Sequence, residues 1–310
     1  MNYKLSLTLL YIIIILLSCE SEQNDKITKS SVLSSFEKIE SIHSNIDFVN
    51  KITPSFDNKA NLFDYDYFYN GSGVGVADFN NDGLKDIILS ANQTENKIYV
   101  NKGGLVFEDI TLDANINENK KWSSGVAIAD VNNDGWMDIY ISQGGPSSSN
   151  DRKNLLYINQ KDLTFKEQAQ EYGLDDEGIS TQSAFFDFDK DGDLDCLVMN
   201  ENSYYGIDPL QFYTILKDKE KLKLNSSQLY EQVNGKFINI TEKAGLLKPS
   251  FGLGLCISDI NNDNWLDIYI ANDYYVPDAM YINNKDGTFS DNIKQNTKQV
   301  SFFGMGVDIA

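Results

Sequence analysis

At 310 residues, with 41% hydrophobic and 12% aromatic content, the chain carries enough apolar material for a substantial core, which excludes a globally disordered polymer. Acidic residues outnumber basic ones 46 to 26, and a formal charge of −20 repels nucleic-acid phosphates and anionic membrane surfaces. Nucleic acid is therefore not an expected partner, and cations are.

The chain opens Met1-Asn2-Tyr3-Lys4, then runs mostly apolar from Leu5 to Leu17 and reaches Ser18-Cys19. Those 13 apolar-run residues fall short of the about 20 that cross a bilayer core, so 1–18 reads as a signal peptide. The surroundings of Cys19 resemble a bacterial lipobox, which implies cleavage before Cys19 and lipid attachment to it. Membrane contact is then expected only through that anchor, in the cell envelope as an outer-membrane lipoprotein. Residues 19–35 begin Cys19-Glu-Ser-Glu-Gln-Asn-Asp25 and read as a flexible acidic tether. Residues 36–70 hold Phe48, Phe56, Phe63, Tyr65, Tyr67, Phe68 and Tyr69, an aromatic density that predicts packing against the folded body. The remaining cysteines, Cys196 and Cys256, lie in separate apolar runs and imply buried free thiols rather than a disulfide framework.

One nine-residue pattern then returns four times. The copies are Asp78-Phe-Asn80-Asn-Asp82-Gly83-Leu84-Lys-Asp86 and Asp130-Val-Asn132-Asn-Asp134-Gly135-Trp136-Met-Asp138, then Asp187-Phe-Asp189-Lys-Asp191-Gly192-Asp193-Leu-Asp195 and Asp259-Ile-Asn261-Asn-Asp263-Asn264-Trp265-Leu-Asp267. Their first aspartates are 52, 57 and 72 residues apart. Each is preceded by a small or apolar run such as Gly125-Val-Ala-Ile-Ala129 and followed by another such as Asp-Ile-Tyr-Ile, which read as buried strands. A second strand pair follows: Lys97–Asn101 with Val106-Phe107, Leu155–Asn159 with Phe165, and Met280–Asn283 with Thr288-Phe289. Gly103-Gly104 and Asp286-Gly287 suit the hairpin turns between them. Four short strands per unit of roughly 50 residues is the layout of a blade, so the expected fold is an all-β propeller of four-stranded blades over 36–310. Phe303-Gly-Met-Gly306-Val-Asp-Ile-Ala310 aligns with Gly125–Ala129, so the chain is expected to stop at the start of a fifth loop.

Calcium takes six to eight oxygen ligands at about 2.3 to 2.6 Å, and aspartates alternating along a tight turn present carboxylates to one point. Positions one, three, five and nine of each copy would give side chains. Position seven, from Leu84, Trp136, Asp193 and Trp265, would give a backbone carbonyl. Position six needs a left-handed backbone, suited to glycine and next to asparagine, as at Asn264. Without metal the crowded carboxylates repel one another. Magnesium demands stricter octahedral geometry, and zinc or copper would call for His and Cys, whereas the single histidine, His43, lies outside every repeat. Four turns rich in Asp and Asn for turn chemistry alone would be the plainer reading; four concordant copies argue against it. An EF-hand array would carry an acid at position twelve, where Leu89, Ile141, Val198 and Ile270 stand instead.

At these loops, and at Phe251-Gly252 and Phe303-Gly304, the sequence resembles the FG-GAP or VCBS repeat proteins. Asn70-Gly-Ser-Gly-Val-Gly and Ile270-Ala-Asn-Asp273 bring it closest to the ASPIC/UnbV group, which is related to cartilage acidic protein; integrin α-chain propellers share the loop logic. The resemblance implies a seven-bladed propeller with calcium in its loops, about four blades being present here. It also implies adhesion or extracellular scaffolding through an unidentified protein or glycan ligand. The enzyme alternative is a polysaccharide-degrading propeller or an accessory protein of glycan uptake. The single histidine and the lack of an acid pair outside the loops argue against catalysis, so no catalytic residue is expected. Trp122, Trp136, Trp265 and Tyr204, Tyr205, Tyr274 and Tyr275 could stack on sugars, although packing between blades is the commoner use of such rings.

Overall fold

Each of the four repeats becomes one antiparallel sheet whose strands follow one another in chain order. The first contains β1 (Val74–Ala77), β2 (Asp86–Leu89), β3 (Lys97–Asn101) and β4 (Phe107–Asp109). The second contains β5 (Ser123–Ala129), β6 (Asp138–Gln143), β7 (Leu155–Asn159) and β8 (Phe165–Glu167). The third contains β9 (Ile179–Phe186), β10 (Asp195–Glu201), β11 (Gln228–Val233) and β12 (Lys236–Asn239). The fourth contains β13 (Gly252–Ser258), β14 (Asp267–Asn272), β15 (Ala279–Asn283) and β16 (Phe289–Asp291). Among the described residues there are also five short helices: α1 (Ser41–Ser44) before the first sheet, α2 (Ala169–Tyr172) between the second and third, α3 (Pro209–Ile215) and α4 (Lys219–Leu224) within the third, and α5 (Ile293–Asn296) after the fourth.

This computed structural model describes residues 36–116, 121–146, 152–204 and 208–309. The expected signal peptide, the tether and Cys19 lie outside them, as does Tyr205. The chain divides into two compact units, Met1–Glu40 and Ser41–Ala310. Of the first, residues 36–40 are described and include an exposed ion pair, Lys38 to Glu40 at 2.8 Å. The second contains all four sheets.

The sheets are blades because their middle strands are buried on both faces, as β6, β7 and β10 are at every position. Neighbouring blades share apolar clusters. Phe79, Ile98, Ile139, Tyr157 and Phe165 join the first to the second. Tyr140, Leu156, Cys196, Val198 and Phe237 join the second to the third, and Phe188, Leu197, Ile268, Tyr281 and Phe289 join the third to the fourth. Such two-sided burial is why the second strands read as continuous apolar runs rather than alternating ones. Both cysteines are free; Cys196 is buried, whereas Cys256, on an inner strand, is half-buried rather than fully enclosed.

The long third interval has a local cause: α3 and α4 are inserted between β10 and β11. Asp208 caps α3 by accepting from the Leu210 N–H at 2.8 Å, with Pro209 in the first turn. Phe212 of α3 stacks on buried Phe251 of the Phe-Gly pair at 5.8 Å. The third outer hairpin, β11 with β12, turns at Asn234-Gly235, both in the left-handed region.

The inner strands β1, β5, β9 and β13 approach so closely that two glycines have no room for a side chain. A Cβ on Gly73 would lie 2.6 Å from the Ser124 carbonyl oxygen, and one on Gly125 would lie 2.5 Å from that of Thr181. Hydroxyls bridge the same seams: Ser90 Oγ donates to Ser124 O at 2.7 Å, Ser124 Oγ to Ser180 O at 2.6 Å, and Thr181 Oγ1 to Gly252 O at 2.8 Å. Residues 303–309 lie beside the fourth blade, with Gly304 N–H donating to Asn272 O at 3.0 Å, but form no strand.

The aromatic stretch before β1 packs on the blades as predicted. Tyr65, Tyr67 and Phe68 are buried with Trp122 in one cluster. Tyr65 Oη donates to Glu201 Oε1 of the third blade at 2.6 Å, and Tyr67 Oη to Asp273 Oδ2 of the fourth at 2.9 Å. Phe56 and Phe63 stay exposed and stack on each other at 6.1 Å. Trp122 thus belongs to this cluster rather than to an interface between blades.

Replacing Gly125 by Ala drives a methyl into fixed backbone, so the variant should lose about 1–3 kcal/mol in denaturant unfolding. Gly306→Ala, with open space at its Cβ, is expected to leave the midpoint unchanged.

Candidate metal centre

Each nine-residue motif is the connection between the first and second strands of its blade. The last residue before the loop pairs with the ninth-position aspartate: Ala77 with Asp86, Ala129 with Asp138, Phe186 with Asp195, and Ser258 with Asp267. Position six is left-handed in all four copies, at φ 89°, 87° and 99° for Gly83, Gly135 and Gly192 and 66° for Asn264. Position four is left-handed too, at Asn81, Asn133, Lys190 and Asn262. The asparagines at three of these positions were the signal for that second reversal.

Backbone N–H groups organise the carboxylates. Asp78 accepts from Asp82 N–H at 3.1 Å and from Gly83 N–H at 2.7 Å, Asn80 Oδ1 from Asp82 N–H at 3.1 Å, and Asp82 from Leu84 N–H at 2.8 Å. The second loop repeats this at Asp130, Asn132 and Asp134, and the fourth at Asp259, Asn261 and Asp263. The third departs, with Asp187 Oδ1 accepting from Lys190 N–H at 2.6 Å. These side-chain turns hold the loops in shape, while repulsion between their charges opposes that order.

The ninth aspartate has a role beyond the ligand one expected of it. Asp138 is fully buried; Oδ2 accepts from Val131 N–H at 3.0 Å and Oδ1 from Asn159 N–H at 2.8 Å, tying the loop's start to the third strand. Asp86 binds Phe79 and Asn101, Asp195 binds Phe188 and Gln232, and Asp267 binds Ile260 and Asn283 in the same way. Burial pushes the carboxyls of Asp138 and Asp195 up to about 7, against the lowering effect of those N–H donors, and neighbouring aspartates add to the rise. Burial also raises Asp86 and Asp267.

The residue paired with that carboxylate also carries an amide, a role the sequence did not disclose. Asn159 Nδ2 donates to Met137 O and, across the blade boundary, to Phe79 O at 2.9 Å; Asn283 Nδ2 donates to Leu266 O and to Phe188 O at 2.8 Å. Asn81 Nδ2 reaches Gly135 O at 3.2 Å, and Lys190 Nζ sits 4.6 Å over the Trp265 ring. These contacts link the first loop with the second and the third with the fourth. In the third blade Gln232 replaces the asparagine, and its amide donates to Leu194 O at 2.8 Å.

In the third loop one carboxylate oxygen each from Asp187, Asp189 and Asp195 lie within 4.8 Å of one another. Asp193 Oδ1 there is buried with no hydrogen-bond partner among the described residues, and burial and the adjacent Asp191 raise its carboxyl. In the second and fourth loops a lysine competes for position five: Lys161 Nζ lies 3.2 Å from Asp134 Oδ2, and Lys285 Nζ lies 3.2 Å from Asp263 Oδ2. Leu84 is exposed, and Trp136 and Trp265 are half-buried at the loop surface. His43 stands apart, donating from Nε2 to Gly104 O at 2.9 Å. The donors are carboxylate and amide oxygens throughout, with an orphaned carboxylate oxygen in the third loop, and this set fits a hard divalent cation such as calcium.

Residues 78–141, spanning the first two loops, match the family model for the FG-GAP-like repeat. That stretch carries an FG-GAP-like repeat. Cartilage acidic protein 1 of Mus musculus is 23% identical over 227 residues, covering 72% of this chain and 32% of that protein. Its Xenopus tropicalis counterpart is 25% identical over 203 residues, covering 65% and 28%. The chain thus spans about a third of the length of these relatives. The V. cholerae biofilm matrix protein Bap1 aligns with 72% of this chain and 28% of its own, at 16% identity and a TM-score of 0.34.

Asn at position 138 would turn an NH₂ group onto a backbone donor, whereas Asp130 sits at the loop surface. With chelator present, Asp138→Asn should cost about 2 kcal/mol more than Asp130→Asn in denaturant unfolding.

Proposed function

We propose that this chain is a secreted, calcium-stiffened β-propeller segment with an adhesion or scaffolding role and no catalytic activity. The observation that carries the calcium reading is the convergence of Asp187, Asp189 and Asp195 in the third loop; the other loops share its residue pattern and its left-handed fourth and sixth positions. Calcium would be held by positions one, three, five and nine of each loop, supplying the positive charge that the buried ninth carboxylates lack. The aspartates are better assigned to metal than to acid catalysis, because each occupies the same position of a repeated turn. The scaffolding role draws on the FG-GAP-like repeat and on relatives that are named as acidic proteins of cartilage, an acidity this chain shares. Lipidation at Cys19 would hold the propeller at the cell envelope, where a blade face could engage a protein or glycan.

Calcium titration by calorimetry should saturate near four equivalents, one per loop. At about a hundredfold excess over Kd each site contributes about 2.7 kcal/mol, so the melting temperature should rise by about 10 °C or more over chelated protein. Well-folded protein that neither binds calcium nor shifts its melt would sink the reading. The pH dependence has a definite sign. Carboxyls held at about 7 in the fold but ionising near 4 when unfolded give stability at low pH that is lost as pH rises towards 7. Chelated protein should therefore melt lower at about pH 7.5 than at about pH 5.5, and calcium should remove that difference.

The anchor is tested separately: cells fed a clickable fatty acid should label the wild-type protein and leave Cys19→Ser unlabelled.

A further inference from the structure

The opposite end of the inner strands from the aspartate loops holds a cavity of about 490 Å³, within the range of small-molecule sites. Tyr65 and Trp122 line it, their rings meeting edge to face at 5.8 Å. Glu201, at the end of β10, also lines it and is fully buried. Its Oε1 accepts from Tyr65 Oη at 2.6 Å, while Oε2 has no hydrogen-bond partner among the described residues. A buried polar atom without a partner is costly, and because its residue lines the cavity, a ligand seated there is the natural source of the missing partner.

The rest of the lining says what kind. Among the described residues, Glu201 is its only carboxylate, and no Lys, Arg or His lines it. Asn70 and Gln182 contribute exposed amides, each offering both a donor and an acceptor. Burial pushes the Glu201 carboxyl up to about 8, against the lowering influence of Tyr65 and Arg152, with Asp66 and Asp273 adding to the rise. The group therefore carries a proton at neutral pH and, with Oε1 accepting, can donate from Oε2. Arg152 acts on Glu201 from outside the lining, so an anion would touch no cationic side chain of the cavity and would face a net charge of −20. A cation would have to ionise an acid that the fold keeps neutral. Hydroxyl groups, each a donor and an acceptor, match a protonated acid, two amides and aromatic edges.

We propose that this axial cavity is a binding site for a neutral sugar ring, with Glu201 Oε2 hydrogen-bonded to a ring hydroxyl and Tyr65 and Trp122 against its C–H surface. It deepens the envelope-scaffold reading by naming a ligand class, but it uses none of the calcium-loop residues. Loss of calcium binding and loss of sugar binding are therefore separate results.

The test uses the full chain in calcium-containing buffer, with glucose, galactose, mannose and N-acetylglucosamine each added alone. Saturation-transfer NMR should show contact with at least one of them, with a saturable change in tryptophan fluorescence. Glu201→Gln, which keeps a donor and an acceptor, should hold affinity within about threefold, and Glu201→Leu should weaken it about tenfold or more. Gln182→Ala alters an exposed side chain, leaves the core untouched, and should weaken binding several-fold if Glu201→Leu fails to fold. The proposal is overturned if none of the four sugars shows transfer, or if folded Glu201→Leu or Gln182→Ala binds as tightly as wild type. It is equally overturned if tetramethylammonium binds in place of the sugars and is lost in Glu201→Gln, which marks a cation site.

Discussion

The ninth-position aspartate is the joint on which each blade depends. Its carboxylate is buried and accepts one N–H from the loop's second residue and one from the third strand, so a single side chain fixes the loop, the second strand and the third in one frame. Removing the carboxylate would leave two buried N–H groups without their acceptor; keeping its charge without a cation leaves a desolvated anion among other anions. With calcium bound as proposed, fold and metal would draw on the same oxygens. A carboxylate oxygen can accept an N–H and still face an ion, which is how one residue can serve both.

The axis is governed by space rather than charge. Inner strands pack backbone to backbone where Gly73 and Gly125 leave out a Cβ, and hydroxyls of Ser90, Ser124 and Thr181 satisfy carbonyls across each seam. With the inner strands this close, the aromatic stretch before β1 closes over one end, and its tyrosines tie to the third and fourth blades.

Much of this was legible in the sequence because repetition multiplies weak signals. Four Asp-rich turns between apolar runs specify four inner hairpins, and Asn264 in place of glycine falls in the left-handed region as its type requires. The outer hairpin of the third blade was harder to read, because α3 and α4 separate it from β10 and only Asn234-Gly235 marks its turn. Contacts between units were not legible at all. Asn159 resembles any strand-terminal asparagine until folding places Phe79 O beside it, and Glu201 is an ordinary acid until Tyr65 arrives from 136 residues away. The lysines facing Asp134 and Asp263 are of the same kind, since the hairpins that carry them meet the loops only in three dimensions.

The amide of Asn159 and that of Asn283 each cross to the preceding loop, and the Asn81 and Lys190 side chains reinforce the same two crossings. Between the second and third loops, Gln232 makes no such crossing among the described residues, although the apolar core beneath runs on without a break. The loop layer is therefore built as two dyads over a continuous foundation. Among the described residues, these side-chain contacts join the four turns as a pair of pairs rather than as a chain of four.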